Sequence, residues 1–261
     1  MKKPRKYKFW LSLVITLLLI ISFLTSCDTS VSPETTASLS KPPIAISILY
    51  DASGSAKNII DLENFDLFSD IITYMKSGAG GHLRFNFITS KCRFRGVELF
   101  IEPFNYSFNT PIESDFNSFY QYQDSLDVFY EKQGALLKKI KPMYDSINNI
   151  KINKFLSAFN RYKKLYKSRS LRNSSHIEKS IDRLFPFYQS AVPNCRNFLC
   201  IFSDGVSHSG FKLNTKTFKE LNIKTFIIGL DRFNSRGNWK LIPYTEATSF
   251  DTVIHHLLNN Y

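Results

Sequence analysis

The sequence predicts an α/β fold: a doubly wound, mainly parallel sheet flanked by helices, with an inserted helical hairpin. Three observations lead there. Apolar, β-branched runs at 43–50, 83–88, 197–202 and 223–230 have the length and continuity of strands buried on both faces. The stretches between them carry apolar residues at helical spacing, and strands alternating with helices form parallel sheets. Two of the runs end in an acidic residue followed by turn-forming residues, Asp51-Ala52-Ser53-Gly54-Ser55 and Ser203-Asp204-Gly205. Such sheets bind ligands beyond the carboxyl ends of their strands, where the strand order reverses.

Each element has its own signal. After the first strand, residues 57–75 place Ile59, Leu62, Phe65, Phe68, Ile71, Ile72 and Met75 on a helical face, closed by Gly78, Gly80 and Gly81. The second strand is 83–88, and 97–101 is a short third strand, expected to be antiparallel. Residues 115–170 are polar, aromatic and Lys-rich. Helical spacing runs through Phe119, Leu126, Phe129, Ile140 and Tyr144 and again from Phe155 to Tyr166, which reads as a helical hairpin inserted on the sheet. Ser174-Ser175-His176-Ile177-Glu178 is a loop opening into a helix. The strand 197–202 follows, then a short helical piece at 218–221, the strand 223–230 and a terminal helix at 250–258.

The first 26 residues form a separate unit. Residues 2–8 carry five bases and no acid, and Phe9 to Leu24 is apolar apart from Ser and Thr. This is the pattern of an export signal. At about 1.5 Å per residue the run is short for a hydrocarbon core of roughly 30 Å. It ends at Leu24-Thr25-Ser26-Cys27, which resembles the bacterial lipobox. The resemblance implies a signal peptide over 1–26, lipid attachment at Cys27, and a domain held to a membrane of the cell envelope, outside the cytoplasm. Residues 27–43 are rich in Ser, Thr and Pro and read as a flexible tether. The domain then occupies 44–261.

The chain carries a formal charge of +12, and without the first 26 residues 29 bases face 22 acids, an excess of +7. That excess is spread along the chain and accompanies no nucleic-acid motif, so no nucleic acid is expected as partner. The basic stretch Lys163, Lys164, Lys167, Arg169 and Arg172 reads as a solvated helix face, with anionic lipid head groups as the alternative contact. Beyond Cys27 there are three cysteines. Cys92 should follow its strand and Cys195 precede its own, so they fall at opposite ends of a parallel sheet, which argues against a bridge.

Three loops converge in this reading: the one after the first strand, the one at Ser174-Ser175, and the one after the fourth strand. The first and fourth strands flank the crevice, so Asp51 and Asp204 sit side by side at its rim. Here the chain resembles the von Willebrand factor type A family, whose metal-ion-dependent adhesion site combines an Asp-x-Ser-x-Ser loop, a Thr from a second loop and an Asp from a third. Asp51, Ser53 and Ser55 match the first loop, Ser175 occupies the Thr position, and Asp204 matches the third. The resemblance covers roughly 44–260 apart from the insert, and implies a divalent metal held by Asp51, Ser53, Ser55, Ser175 and Asp204. Hard cations take oxygen ligands, and Mg²⁺ prefers six. Mg²⁺ is the first expectation, with Mn²⁺ or Ca²⁺ as alternatives. Neutral hydroxyls and two carboxylates leave the metal electrophilic, with a position for the carboxylate of a partner's Asp or Glu.

The expected function is a membrane-anchored binding module that recognises a protein partner through that metal. The alternative is a structural subunit of an envelope assembly, interacting through the helical insert, with a vestigial or purely structural metal site. An enzyme is not expected. His176 and His208 fall near the rim with several serines, but no Gly-x-Ser-x-Gly elbow is present. An aspartyl nucleophile would want a second Asp two residues after Asp51, where Ser53 stands. Each loop also has a plain structural reading, as an Asx-type turn, a helix cap or an Asp-Gly turn.

Overall fold

The run Ile44–Asp51 forms β1, and every one of its residues is buried. Continuous burial follows from its place in the middle of a six-stranded sheet of order β3-β2-β1-β4-β5-β6. β2 (Gly81–Ile88) and β4 (Arg196–Phe202) flank β1, both parallel to it. β5 (Lys224–Ile228) and β6 (Thr245–Ala247) extend the parallel part, and β3 (Val97–Ile101) closes the other edge antiparallel to β2. The chain builds outward from β1 to β3, then returns to β4 and builds the opposite way. The strand order therefore reverses between β1 and β4. The computed structural model describes residues 41–51, 66–89, 96–104, 110–168, 175–191 and 193–259. The expected signal peptide, Cys27, most of the tether, Ser53, Ser55, Cys92, Arg169, Arg172 and residues 57–65 of the helix expected at 57–75 lie outside them.

Alternation along β1 divides the core in two. Ile44, Ile46, Ile48 and Tyr50 face α1 (Ser69–Tyr74), the carboxyl-terminal part of α2 (Phe119–Ser168) and α6 (Phe250–Asn259). Ala45 and Leu49 face α3 (Ile177–Asp182), α4 (Phe185–Gln189), α5 (Thr215–Glu220) and Trp239. Helices thus cover both faces, as a parallel sheet requires. The α1 helix widens into a π turn at Met75–Ala79 and stops where Gly78 takes φ +109°. Among the described residues no helix is long and apolar enough to cross a membrane.

The insert departs from expectation. It is one continuous helix of 50 residues rather than a hairpin, about 75 Å long at 1.5 Å per residue. The expected turn fell between Tyr144 and Phe155, where the residues are mostly polar. Yet Tyr144, Asn148, Ile152 and Phe155 step by three or four along one face, which lies against the domain. Asn148 is 2% exposed and Phe155 3%. A buried Asn interrupted the apolar signal without interrupting the helix. Pro142 lies within the helix at an exposed position, where it removes one backbone hydrogen bond.

Candidate functional site

The site grows out of strand register. Tyr50 pairs with Phe202, so the next residues, Asp51 and Ser203, leave the sheet side by side at the carboxyl end of β1 and β4. The Ser203 hydroxyl donates to Asp51 Oδ2 at 2.8 Å. On the other side the Ser175 hydroxyl donates to Asp51 Oδ1 at 2.7 Å. Asp51 itself is fully buried. A residue 124 positions away therefore meets the end of β1 through a direct bond.

The third loop turns tightly. Ser203 Oγ accepts the Gly205 N–H at 3.0 Å, and Asp204 Oδ1 accepts the Val206 N–H at 3.0 Å. Gly205 has φ +80°, and a Cβ there would lie 2.4 Å from Leu230 Cδ1 and 2.9 Å from Trp239 Cζ2. Conformation and space both require glycine. Asp204 is 8% exposed. Its Oδ2 has no hydrogen-bond partner, and its carboxylate no ion pair, among the described residues.

Glu178 ties the second loop to the third. It is fully buried. Its Oε2 accepts a short hydrogen bond from the Ser207 hydroxyl, and its Oε1 accepts the Trp239 N–H at 3.3 Å. Trp239 Nε1 donates to the Gly205 carbonyl at 3.1 Å, and His208 N–H donates to the Ser175 carbonyl at 2.9 Å. Ser175 and Asp204 are thus positioned by one network whose centre is a carboxylate.

A second rigid turn borders the site. Asp231 N–H donates to the Asp204 carbonyl, Arg236 N–H to the Gly205 carbonyl and Ser207 N–H to the Arg236 carbonyl. The Asp231 carboxylate accepts the Asn234 side-chain amide at 2.7 Å and the Phe233 and Asn234 N–H groups at 3.0 and 3.3 Å. These bonds hold it below the usual carboxylate range, with the Asn234 side chain the largest cause. The turn carries Phe233 at 100% exposure. Arg236 Nη2 lies 3.2 Å from His208 Nε2. His176, beside Ser175, has its pKa lowered by burial first and by the Lys179 charge second.

No family model matches the sequence, and no curated protein matches it. Among solved structures the chain is similar to the pilus adhesin SpaC from Lactobacillus rhamnosus GG in its open conformation. Identity is 11% and the TM-score is 0.40, and the match covers 84% of this chain and 29% of the adhesin. The chain therefore spans under a third of the adhesin's length, and likeness at this level bears no weight on fold or function.

Of the five expected metal ligands, Asp51 and Ser175 are bonded at the reversal point and Asp204 follows Ser203, which also bonds Asp51, while Ser53 and Ser55 fall outside the described residues. Sequence reasoning missed Ser203 as a partner of Asp51, and missed Glu178. Register carries the signal for the first: a hydroxyl directly before Asp204 must emerge beside the residue that ends β1. Cys195 and Cys200 are both free thiols. Burial pushes both up, Cys200 to about 12, so neither is a reactive thiolate at neutral pH.

The donor set suits a hard cation. Among the described residues no three His, Cys, Asp or Glu side chains gather, so a cation here would rest on two carboxylates and on hydroxyl oxygens. Ser175 and Ser203 each spend their proton on Asp51 and keep lone pairs to offer.

Proposed function

We propose that this chain is a von Willebrand factor A-like domain that binds a divalent cation at Asp51, Ser53, Ser55, Ser175 and Asp204, and uses it to grip a carboxylate on a protein partner. The observation that carries the reading is the meeting of Asp51, Ser175 and Ser203-Asp204 at the point where strand order reverses. Mg²⁺ fits the oxygen donors and the small number of carboxylates, with Mn²⁺ or Ca²⁺ as alternatives. A cation held by these residues would supply a localised positive charge for a partner's carboxylate. Around it, Asp204 is oriented by the Val206 N–H, and Ser175 by Asp51 and the His208 N–H. Phe233, Arg236 and His208 border the site and set which partners fit. An apolar tip held rigidly beside two basic groups matches a partner whose Asp or Glu stands next to an apolar pocket.

In the same proposal, residues 1–26 are an export signal and Cys27 carries the lipid that anchors the domain in the bacterial cell envelope. Two or more acyl chains on one residue give a stable anchor where one is marginal. In this reading the role is binding and not catalysis.

The test is binding of an immobilised Asp- or Glu-containing peptide, with Mg²⁺ and with chelator, for the native chain and for Asp51→Ala. Binding should fall at least tenfold with chelator and in the variant. Binding unchanged by either would overturn the cation as the point of recognition.

A further inference from the structure

The carboxyl-terminal half of the long helix turns two rows in different directions. Asn148, Ile152, Phe155 and Phe159 pack on the sheet. Facing away from it, positions 147, 150, 154, 157, 161 and 164 step by three or four, and all six residues are exposed: Ile147, Ile150, Lys154, Ser157, Arg161 and Lys164. Between the long cationic side chains of Lys154 and Arg161 stand only the small ones of Ser157 and Ala158, so the surface dips there. With Val97 of edge strand β3, these residues line a groove of about 560 Å³. Ile150, Val97 and Ala158 are its apolar part, and Lys154 and Arg161 supply its charge.

No acid answers that charge. From Ser146 to Ile177 the chain holds eight bases and no Asp or Glu. Among the described residues Lys154, Arg161 and Lys164 have no ion pair. The acids nearest in sequence to Val97 are engaged elsewhere: Glu98 lies 3.3 Å from Arg84 Nη1 and Glu102 lies 3.8 Å from Lys151 Nζ. A surface of this kind suits a layer of anionic lipid head groups. Phosphates meet the bases, and the apolar residues reach the acyl boundary while the Lys and Arg stems extend past them. A soluble polyanion would match the bases and leave Ile147, Ile150 and Val97 in water.

The path of the tether brings lipid within reach. Tyr74 OH donates to the Pro42 carbonyl at 2.8 Å, and the Arg196 N–H donates to the Pro43 carbonyl at 2.9 Å. These bonds fix where the chain enters the domain. Lys76, two residues beyond Tyr74, donates to Asn149 Oδ1 at 3.0 Å. The Ile150 end of the groove therefore lies toward the edge of the sheet where the tether joins it. Residues 28–42 separate Cys27 from Pro43, so a lipid on Cys27 stays within about 50 Å of that point. At such range weak contacts suffice.

We propose that this groove and its basic row dock the domain on an anionic phospholipid surface, with Lys154 and Arg161 on the phosphates and Ile147, Ile150 and Val97 at the acyl boundary. The inference rests on the reading that the chain is anchored in a membrane. It does not involve the candidate cation site between β1 and β4.

The test uses the full chain in lipid nanodiscs, made either of phosphatidylcholine alone or with one third phosphatidylglycerol. Amine acetylation is followed by mass spectrometry at Lys154 and Lys164, against Lys216, whose side chain is 86% exposed on α5. Both row lysines should react at least fivefold more slowly in the phosphatidylglycerol discs, and about 0.5 M salt should remove the difference. Arg161→Glu, at an exposed position, should keep the thermal midpoint within a few degrees of native and restore Lys154 to the rate seen in phosphatidylcholine. Equal rates in the two discs overturn the proposal, as does slowing in both that salt leaves untouched. Slowing by an added polyglutamate peptide and not by phosphatidylglycerol assigns the groove to an acidic protein and overturns it too. The anchor is read separately, from the mass of the Cys27 peptide in native membranes. Slowed lysines with an unlipidated Cys27 keep the docking surface and remove the anchor, and a lipidated Cys27 with equal rates does the reverse.

Discussion

Asp51 and Glu178 are both fully buried carboxylates near the same edge of the sheet, yet their partners differ in kind. Among the described residues whose bonds to it are resolved, Asp51 meets two serine hydroxyls, groups that rotate and that can turn a lone pair to a cation without leaving their place. Glu178 meets one hydroxyl and the backbone N–H of Trp239, a donor that cannot turn away. Gly237 leaves the space for this contact, since a Cβ there would lie 2.5 Å from Glu178 Oε1. One carboxylate is placed where its partners remain adaptable, the other where they are fixed. The first suits exchange of ligands, and the second holds loops in position.

The largest effect should therefore come from Glu178. Glu178→Ala leaves the Ser207 hydroxyl and the Trp239 N–H without their acceptor and opens a cavity between α3 and the 231–242 segment. The expected loss of stability is about 3 kcal/mol by urea denaturation. Asp51→Asn keeps the volume and one acceptor oxygen, so its loss should be smaller, while the rise in thermal midpoint caused by Mg²⁺ should disappear. If the proposed site binds Mg²⁺, the native chain at ten times the dissociation constant should gain about 1.4 kcal/mol, which is large enough to read. Equal losses in the two variants, with the Mg²⁺ effect kept in both, would erase the distinction between them.

The two hydroxyls on Asp51 sharpen the comparison further. Each alanine variant removes one hydrogen bond to a buried carboxylate, so Ser175→Ala and Ser203→Ala should each cost about 1–2 kcal/mol. If Ser175 also serves the cation while Ser203 serves Asp51 and the Gly205 turn without touching the cation, the Mg²⁺-dependent rise should vanish in the first and persist, if weakened, in the second. Persistence in both would restrict Ser175 to orienting Asp51.

How far these features could be read beforehand depends on whether their cause is local. The strand 44–51 was legible because a central parallel strand is buried on both faces and reads as an unbroken apolar run. Gly78 was legible as a helix end because few other residues accept φ near +109°. β6 left no such trace. Its three residues, Thr245, Glu246 and Ala247, lie on an edge where burial does not select apolar side chains, and the pairing partner supplies the order. The single long helix was misjudged at Asn148, whose burial is a property of the surface it meets. At the site, Asp51, Ser175 and Asp204 could be named because turn chemistry marks them. Glu178 could not, because an acidic residue in the first turn of a helix usually faces solvent and favours the helix dipole. Only the arrival of Ser207 and Trp239, 29 and 61 positions away, makes it a buried anchor.

A third carboxylate, Glu98, gives the exposed limit of the comparison and the smallest effect. It lies on edge strand β3 opposite Arg84, with its side chain 44% exposed, 3.3 Å from Arg84 Nη1 and 3.5 Å from His82 Nε2. The hydrogen bond to His82 is the main cause that lowers its pKa below 4.5, the Arg84 charge adds to it, and partial burial opposes both. A carboxylate with a folded pKa below its unfolded value contributes stability above about pH 4.5 and loses it as pH falls through the folded value. Solvent screens a pair this exposed, so the contribution should stay below about 1 kcal/mol. Glu98→Gln should lower stability slightly at pH 7 and flatten its decline between about pH 5 and pH 3. In 1 M salt the native chain and the variant should converge, because the ionic part is screened within about 3 Å. A variant as costly as Glu178→Ala would mean that Glu98 holds β3 in place rather than trimming the charge of an edge, and exposure would then be a poor guide to what a carboxylate does in this fold.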